Sequence, residues 1–360
     1  MITVVDEKYR YAAALNPETG FSIRTSIYDI AGKDTGIDPF MASFPELLDV
    51  GIMGHCEHGL SGHCLQSGVE CYQNGFGIIE PNMSLENFKK IILQCMGRTL
   101  QVALGGRGDP DMHEHFEEIV RFTNEHNVIP NFTTSGYGLK QELMPTIKKS
   151  CGAVAVSWYR SDYTLHAIDL LLSAGIKTNI HYCLNNSTLD EAIARVKNKT
   201  FPKGVNRIIF LLHKPVGLGQ RSNMLSVRDP RVVEFFSLFD KEENANSAGF
   251  DSCSVAGLLN FTAKLHPSCL EACEASRFSA YISPDYILYP CSFEKNQEFG
   301  VGLENMSIDK AWNSEAFQIF RGKFFDRCQD CRSFNQCLGG CPVLPEITIC
   351  PKLLDEKVMV

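Results

Sequence analysis

The last quarter of the chain holds seven cysteines: Cys273, Cys291, Cys328, Cys331, Cys337, Cys341 and Cys350. The first four of the run from Cys328 are spaced C-x2-C-x5-C-x3-C, and Cys350 follows after eight intervening residues. Thiols at such spacing are either tied in disulfides or hold a soft metal as thiolates, with zinc and iron–sulfur clusters the common choices. A second group, Cys56, Cys64 and Cys71, lies in GHCEHGLSGHCLQSGVECYQNG. Three is an informative number. A [4Fe–4S] cube held by three cysteines keeps one iron open, and a ligand with an amine and a carboxylate can chelate that iron. His55, His58 and His63 stand among these thiols. They read either as further ligands or proton carriers, or as ordinary polar loop residues, the commoner case.

The compartment separates disulfide from metal. The chain has 360 residues and 15 cysteines. Its start, MITVVDEKYRY, lacks a basic stretch followed by an apolar run, so no secretory signal is read there. No window of eighteen apolar residues exists to span a membrane. The expectation is a cytoplasmic protein, where disulfides are disfavoured and so many cysteines point to metal. A net charge of −8 gives a nucleic-acid role no support. Hydrophobic content of 44% and charged content of 21% are those of an ordinary globular protein.

The elements that must position these residues alternate. Short apolar runs at LLDVGIM, TLQVAL, VIPNFTT, GAVAVSWY, IKTNIHYCL and NRIIFLLHKP read as buried strands. Between them lie helical stretches. Ser84 caps the first, Thr188 and Glu191 have capping-box spacing, and Asp229-Pro230 opens the last. Six such units imply an α/β fold with a parallel sheet, as a partial (β/α)6 TIM-type barrel or an open doubly wound sheet. Function then gathers at the C-terminal ends of the strands. The alternation stops at the polar break Asn244-Ala245-Asn246. The expected domains are an extended N-terminal segment, 1–45, a core, 46–245, and a cysteine-rich domain, 246–360. Cys95, Cys151 and Cys183 sit inside apolar elements and read as buried small hydrophobes.

The cysteine pattern resembles that of the radical S-adenosylmethionine (radical SAM) enzymes with a C-terminal SPASM domain. The resemblance spans roughly 48–350. Cys328 to Cys350 fit the second half of the seven-cysteine motif. Cys273 and Cys291 fit the first half by spacing, with Tyr286 where glycine is usual. ISPDYILYPC looks like the family's hairpin, and NMSIDKAWNSEAFQIF like the helical stretch between the halves. The upstream trio departs from the family's C-x3-C-x2-C, being C-x7-C-x6-C, in a loop expanded with glycines.

The resemblance implies a partial barrel, S-adenosylmethionine and three [4Fe–4S] clusters. Cys56, Cys64 and Cys71 would hold the SAM-binding cluster, with Tyr72 packing on it. GGRGDP, after the second strand, stands where the family has a GGEP-like motif. Gly105 and Gly106 would allow close approach, and Asp109 would supply the carboxylate for the methionyl amine. Ser157 would meet the SAM carboxylate. Asn179 and His181 could face the interior, and KPVGLG (214–219) could wrap the adenosine or be a plain loop. Cys273, Cys291 and Cys341 would hold the first auxiliary cluster, with Cys269 as candidate fourth ligand and Cys253 its competitor. Cys328, Cys331, Cys337 and Cys350 would hold the second.

The implied reaction is reductive cleavage of SAM and hydrogen abstraction from a peptide or protein, such as a ribosomal precursor peptide, with flavodoxin or ferredoxin as reductant. The auxiliary clusters would accept electrons or anchor the substrate. The first 45 residues look too short for a winged-helix peptide-recognition domain. Two alternatives stand beside this reading: radical SAM chemistry on a small molecule or cofactor precursor, and a non-catalytic iron–sulfur carrier or zinc-stabilised binding protein. No catalytic acid or base is named. Asp251, Asp285 and Glu294 read as solvated loop charges.

Overall fold

The first fifteen residues form a hairpin because Tyr11, Ala13 and Leu15 alternate with half-buried positions and turn one face inward. In this computed structural model, which describes residues 1–294 and 296–353, β1 (Ile2–Asp6), β2 (Tyr11–Leu15) and β3 (Ser22–Arg24) make an antiparallel sheet. Its inner face packs with Leu100, Ile129 and Phe278. Buried Glu46 accepts hydrogen bonds from Tyr11 Oη at 2.5 Å and Arg24 Nε at 2.7 Å. Leu100 and Ile129 lie at the N-terminal ends of strands, so this sheet occupies the end of its unit opposite to the one where catalytic loops gather.

The chain forms two compact units: residues 1–68, 74–178 and 275–321, and residues 69–73, 179–274 and 322 onward. The first carries β4 (Leu47–Met53), β5 (Gln101–Gly106), β6 (Ile129–Thr134) and β7 (Val154–Ser157), all parallel. Their order is β7-β6-β5-β4, and three later strands extend the sheet beyond β4. β11 (Ser279–Ile282) joins β4 in parallel, then folds back antiparallel to β12 (Ile287–Tyr289), which pairs with β13 (Val301–Gly302). The second unit has the parallel order β10-β9-β8, with β8 (Thr178–Leu184), β9 (Arg207–Leu212) and β10 (Ala248–Phe250). The fold is therefore mixed α/β with a large parallel sheet, and all six expected strands form.

Local chemistry sets the helix starts. Ser84 Oγ accepts from Asn87 N, Ser161 Oγ from Thr164 N, and Asp229 from Arg231 N ahead of Pro230. The capping box at Thr188 does not form. Asn185 Oδ1 takes the Ser187 and Thr188 amides instead, and Glu191 turns to Tyr182 and Arg195. The alternation also runs further than the polar break: β10 and the helix Val255–Phe261 follow it. Three residues are too few for periodicity to reveal, so β10 was hidden in the sequence. Among the described residues, no helix is long and apolar enough to cross a membrane.

Candidate functional site

The downstream cysteines converge within the second unit. Cys328, Cys331, Cys337 and Cys350 line one cavity, walled also by Leu259, Phe334 and Thr348. Short turns bring them together. Cys331 N donates to Cys328 O, and Cys337 N to Ser333 O. Cys328 and Leu338 adopt φ of +61° and +51°, and Gly339 and Gly340 follow in the same left-handed region. Burial and the neighbouring Cys350 push the Cys337 thiol up to about 11. Cys331 moves the other way, because the Ser333 amide and Lys352 favour its thiolate; Lys352 Nζ lies 3.3 Å from its sulfur. Among the described residues, no three His, Cys, Asp or Glu side chains converge to hold a single metal ion. A cube spreads its thiolates over separate irons, so four thiols around one cavity is the geometry that fits it.

The other expected auxiliary ligands are placed less completely. Cys273 and Cys341 are buried in the second unit, and Cys291 is half-buried in the first. Cys269 is exposed. The hairpin before Cys291 forms as expected, Tyr281 opposite Tyr289. Tyr286 there takes φ of +63°, a conformation that favours glycine. The stretch at 305–320 forms two helices, Ile308–Trp312 and Glu315–Gly322.

Upstream, Cys56 and Cys64 follow β4 in the first unit, whereas Cys71 belongs to the second. Cys56 is the N-cap of the short helix Glu57–Leu60, its sulfur accepting from Gly59 N at 3.1 Å. The GGRGDP loop at the end of β5 holds this segment. Arg107 donates to Gly54 O at 2.7 Å and pairs with Glu80. A Cβ on Gly108 would lie 2.2 Å from His55 O. Gly106 is likewise packed on Gly51, but a Cβ on Gly105 would meet nothing within 4 Å. Of the two expected cofactor-binding glycines, only Gly105 thus has open space beside it.

His58 is not a polar loop histidine. It is buried against Tyr137, Tyr159 and Tyr163, with Nε2 2.7 Å from Tyr163 Oη. Burial lowers its pKa to about 4, so the ring is neutral near pH 7. His55 lies 3.4 Å from Glu57, and His63 Nδ1 2.7 Å from Ser61 Oγ.

Two buried carboxylates follow the glycines. Asp109 accepts from Ser135 N at 2.7 Å and Ser135 Oγ at 2.5 Å, and burial raises it to about 6. Asp111 rises further, to about 7, through burial and the neighbouring Asp109, moderated by nearby Thr134. Among the described residues, neither Asp111 oxygen finds a hydrogen-bond partner of normal geometry. Asp111 was missed in the sequence, although GGRGDPD places it only two residues on.

The remaining strand ends differ in role. Ser157 closes β7, half-buried. On β8, Asn179, His181 and Cys183 share one face, while Ile180, Tyr182 and Leu184 turn into the core. Cys183 is therefore exposed rather than buried, Cys151 is half-buried, and Cys95 is buried as expected. KPVGLG holds the third cysteine of the trio. Leu218 N donates to Cys71 O at 3.0 Å, and Gly217, at φ +64°, packs on the Tyr72 carbonyl. Glu70 is clamped by Gln220 N and Asn223. Asp251 and Glu294 are not solvated charges: Asp251 pairs with buried Lys214, and Glu294 is buried and accepts from Asn296 N. Asp285 is exposed.

Residues 273–337 match the SPASM family, an iron–sulfur cluster-binding domain. No curated protein matches the chain. Among solved structures, the fold is similar to that of anSMEcpe with bound AdoMet, at 16% identity, over 82% of this chain and 86% of that one, with a TM-score of 0.57. It is similar to Streptococcus suis SuiB bound to the precursor peptide SuiA, at 14% identity, over 86% and 77%, with a TM-score of 0.63. Native anSMEcpe with AdoMet and the Cp18Cys peptide matches at 16% identity, over 82% and 89%, with a TM-score of 0.57. At these identities the likeness is one of fold.

Proposed function

We propose that this chain, which carries a SPASM domain, is a radical SAM enzyme that reductively cleaves S-adenosylmethionine and abstracts hydrogen from a peptide or protein. The carrying observation is the cavity lined by Cys328, Cys331, Cys337 and Cys350, the first three of which lie within the iron–sulfur family match. The fold shared with AdoMet-bound anSMEcpe supports the SAM reading, and that shared with peptide-bound SuiB supports a peptide substrate. When bound, the SAM-site cluster would supply the electron that cleaves SAM.

The chain's own residues would hold and orient these groups. Cys56, Cys64 and Cys71 would carry the SAM-site cluster, beside Tyr72. Gly105 gives the ligand room, and Asp111, whose oxygens find no partner of normal geometry among the described residues, is better placed than Asp109 to accept from an ammonium group. Asp109 instead ties the glycine loop to Ser135. Ser157 would meet the carboxylate. The domain division at 45 and 245, a cytoplasmic location, and a flavodoxin or ferredoxin reductant belong to the same reading.

The test is anaerobic reconstitution followed by SAM and dithionite. The expected result is about twelve irons per chain, as three four-iron clusters, and 5′-deoxyadenosine as product. Zinc without sulfide, or a fully loaded protein that leaves SAM intact with candidate peptides present, overturns it.

A further inference from the structure

The strand that the sequence conceals, β10, is followed after Phe250 by a turn carrying Cys253, which lies outside the seven-cysteine pattern. Asp251 N continues the ladder to Phe210 O at 3.1 Å, and the chain then turns through Ser252–Ser254. The turn is rigid. Asp251 accepts from Ser254 Oγ at 2.8 Å and Leu212 N at 3.1 Å, and its carboxylate also pairs with Nζ of Lys214. Lys214 and Ser254 are both buried. Cys253, in the middle of this turn, is half-buried, and its thiol lies within hydrogen-bonding reach of Cys341.

Cys341 is itself fixed. Its amide donates to Thr348 Oγ1 at 3.3 Å, its carbonyl accepts from Arg327, and its sulfur accepts from Leu344 N at 3.3 Å. The helix that follows Cys253, Val255–Phe261, packs on Phe334–Cys337 and lends Leu259 to the wall of the four-thiol cavity. Cys269, by contrast, is an exposed residue of the turn Pro267–Cys269, whose amide bonds locally to His266 O.

We propose that Cys253, rather than Cys269, stands beside Cys341 as a thiolate ligand of the first auxiliary iron–sulfur cluster. The inference rests on the iron–sulfur reading above. The geometry suits it. The turn that bears Cys253 is tied through Asp251 to buried Lys214 and places the thiol next to Cys341, whereas Cys269 lies exposed on a separate turn.

The experiment uses the full chain, reconstituted anaerobically with iron and sulfide, as wild type, C253S, C269S and C337A. Iron, sulfide and Mössbauer spectra are compared. Wild type should hold about twelve irons, C269S the same, and C253S between one and about four fewer, with the second auxiliary cluster's spectrum intact. C337A identifies that second spectrum by its loss. An unchanged C253S, or a C269S that loses iron, overturns the assignment. A wild type without iron and sulfide instead sinks the underlying reading.

If C253S fails to fold or loses all iron, maleimide labelling of native wild type decides the matter. Cys269 should label with or without iron, and Cys253 only after a chelator strips the metal. Labelling of Cys253 in the loaded protein, no gain on stripping, or a Cys253–Cys341 disulfide in the mass spectrum overturns the proposal.

Discussion

The two cysteine regions solve one problem in opposite ways. Downstream, Cys328 to Cys350 are brought round a cavity by their own short turns, with left-handed backbone at Cys328, Leu338, Gly339 and Gly340. Upstream, the loop bearing Cys56 and Cys64 is held from outside, by Arg107 on Gly54 O and by Gly108 against His55 O. Cys71 is held by another loop again, through Leu218. A site closed in sequence carries its own geometry but needs its metal to stay folded. A site hung on strand ends borrows geometry from the sheet and can leave one ligand position open.

The largest test of that contrast sets C337A against C64A. Removing one of four convergent thiols should cost about four irons and open 323–353 to proteases, because the turns of this segment converge on the cavity the metal would fill. C64A should cost about four irons and all SAM cleavage, yet leave the proteolytic pattern of the sheet as in wild type. Equal protection of both variants would erase the distinction. Iron analysis and limited proteolysis of the same samples give the answer.

A smaller effect separates the two roles of the glycine loop. G108A places a methyl against a backbone carbonyl that cannot move aside, at an expected cost of about 1–3 kcal/mol. The upstream iron should be lost more readily to chelators while the downstream iron stays. G105A meets open space, so its melting curve should match wild type while SAM binding weakens. A destabilised G105A with unaltered SAM affinity would contradict the assignment of that space to a ligand. Calorimetry and SAM titration separate the outcomes.

What was legible in the sequence follows the same division. The downstream pattern could be read because its spacing is local: a C-x2-C pair constrains its own turn. The six strands were legible because each is a continuous apolar run between helix caps such as Ser84 and Asp229. β10 was not, since three half-buried residues carry no period. Thr188 misled because Asn185, outside the capping-box pattern, took the amides first. In sequence His58 and Asp251 look like loop polars, because what buries them comes from residues far away in the chain: Tyr137, Tyr159 and Tyr163 for one, Lys214 for the other. Asp111 was missed for a related reason. Sequence shows a carboxylate but not whether Ser135 has already satisfied its neighbour.

Asp111 offers the finest test of the borrowed site. Its folded-state pKa is raised from the usual 3.8 to about 7, chiefly by burial and then by Asp109. The folded chain therefore binds a proton that the unfolded chain has released between those values. Stability from this group is complete below pH 3.8 and is lost as pH rises through about 7. Asparagine keeps the shape of the neutral acid and cannot ionise. In the iron-free protein, D111N should melt together with wild type near pH 4 and above it near pH 8, by about 2–4 °C for each ~1 kcal/mol recovered. With clusters and SAM bound, an ammonium beside Asp111 would stabilise the charged carboxylate and shrink the gap, and D111N should bind SAM more weakly. A gap that is flat with pH would mean Asp111 is already solvated or paired. A gap that SAM leaves unchanged would move the ammonium elsewhere, leaving Asp111 as a buried acid that only destabilises its own loop.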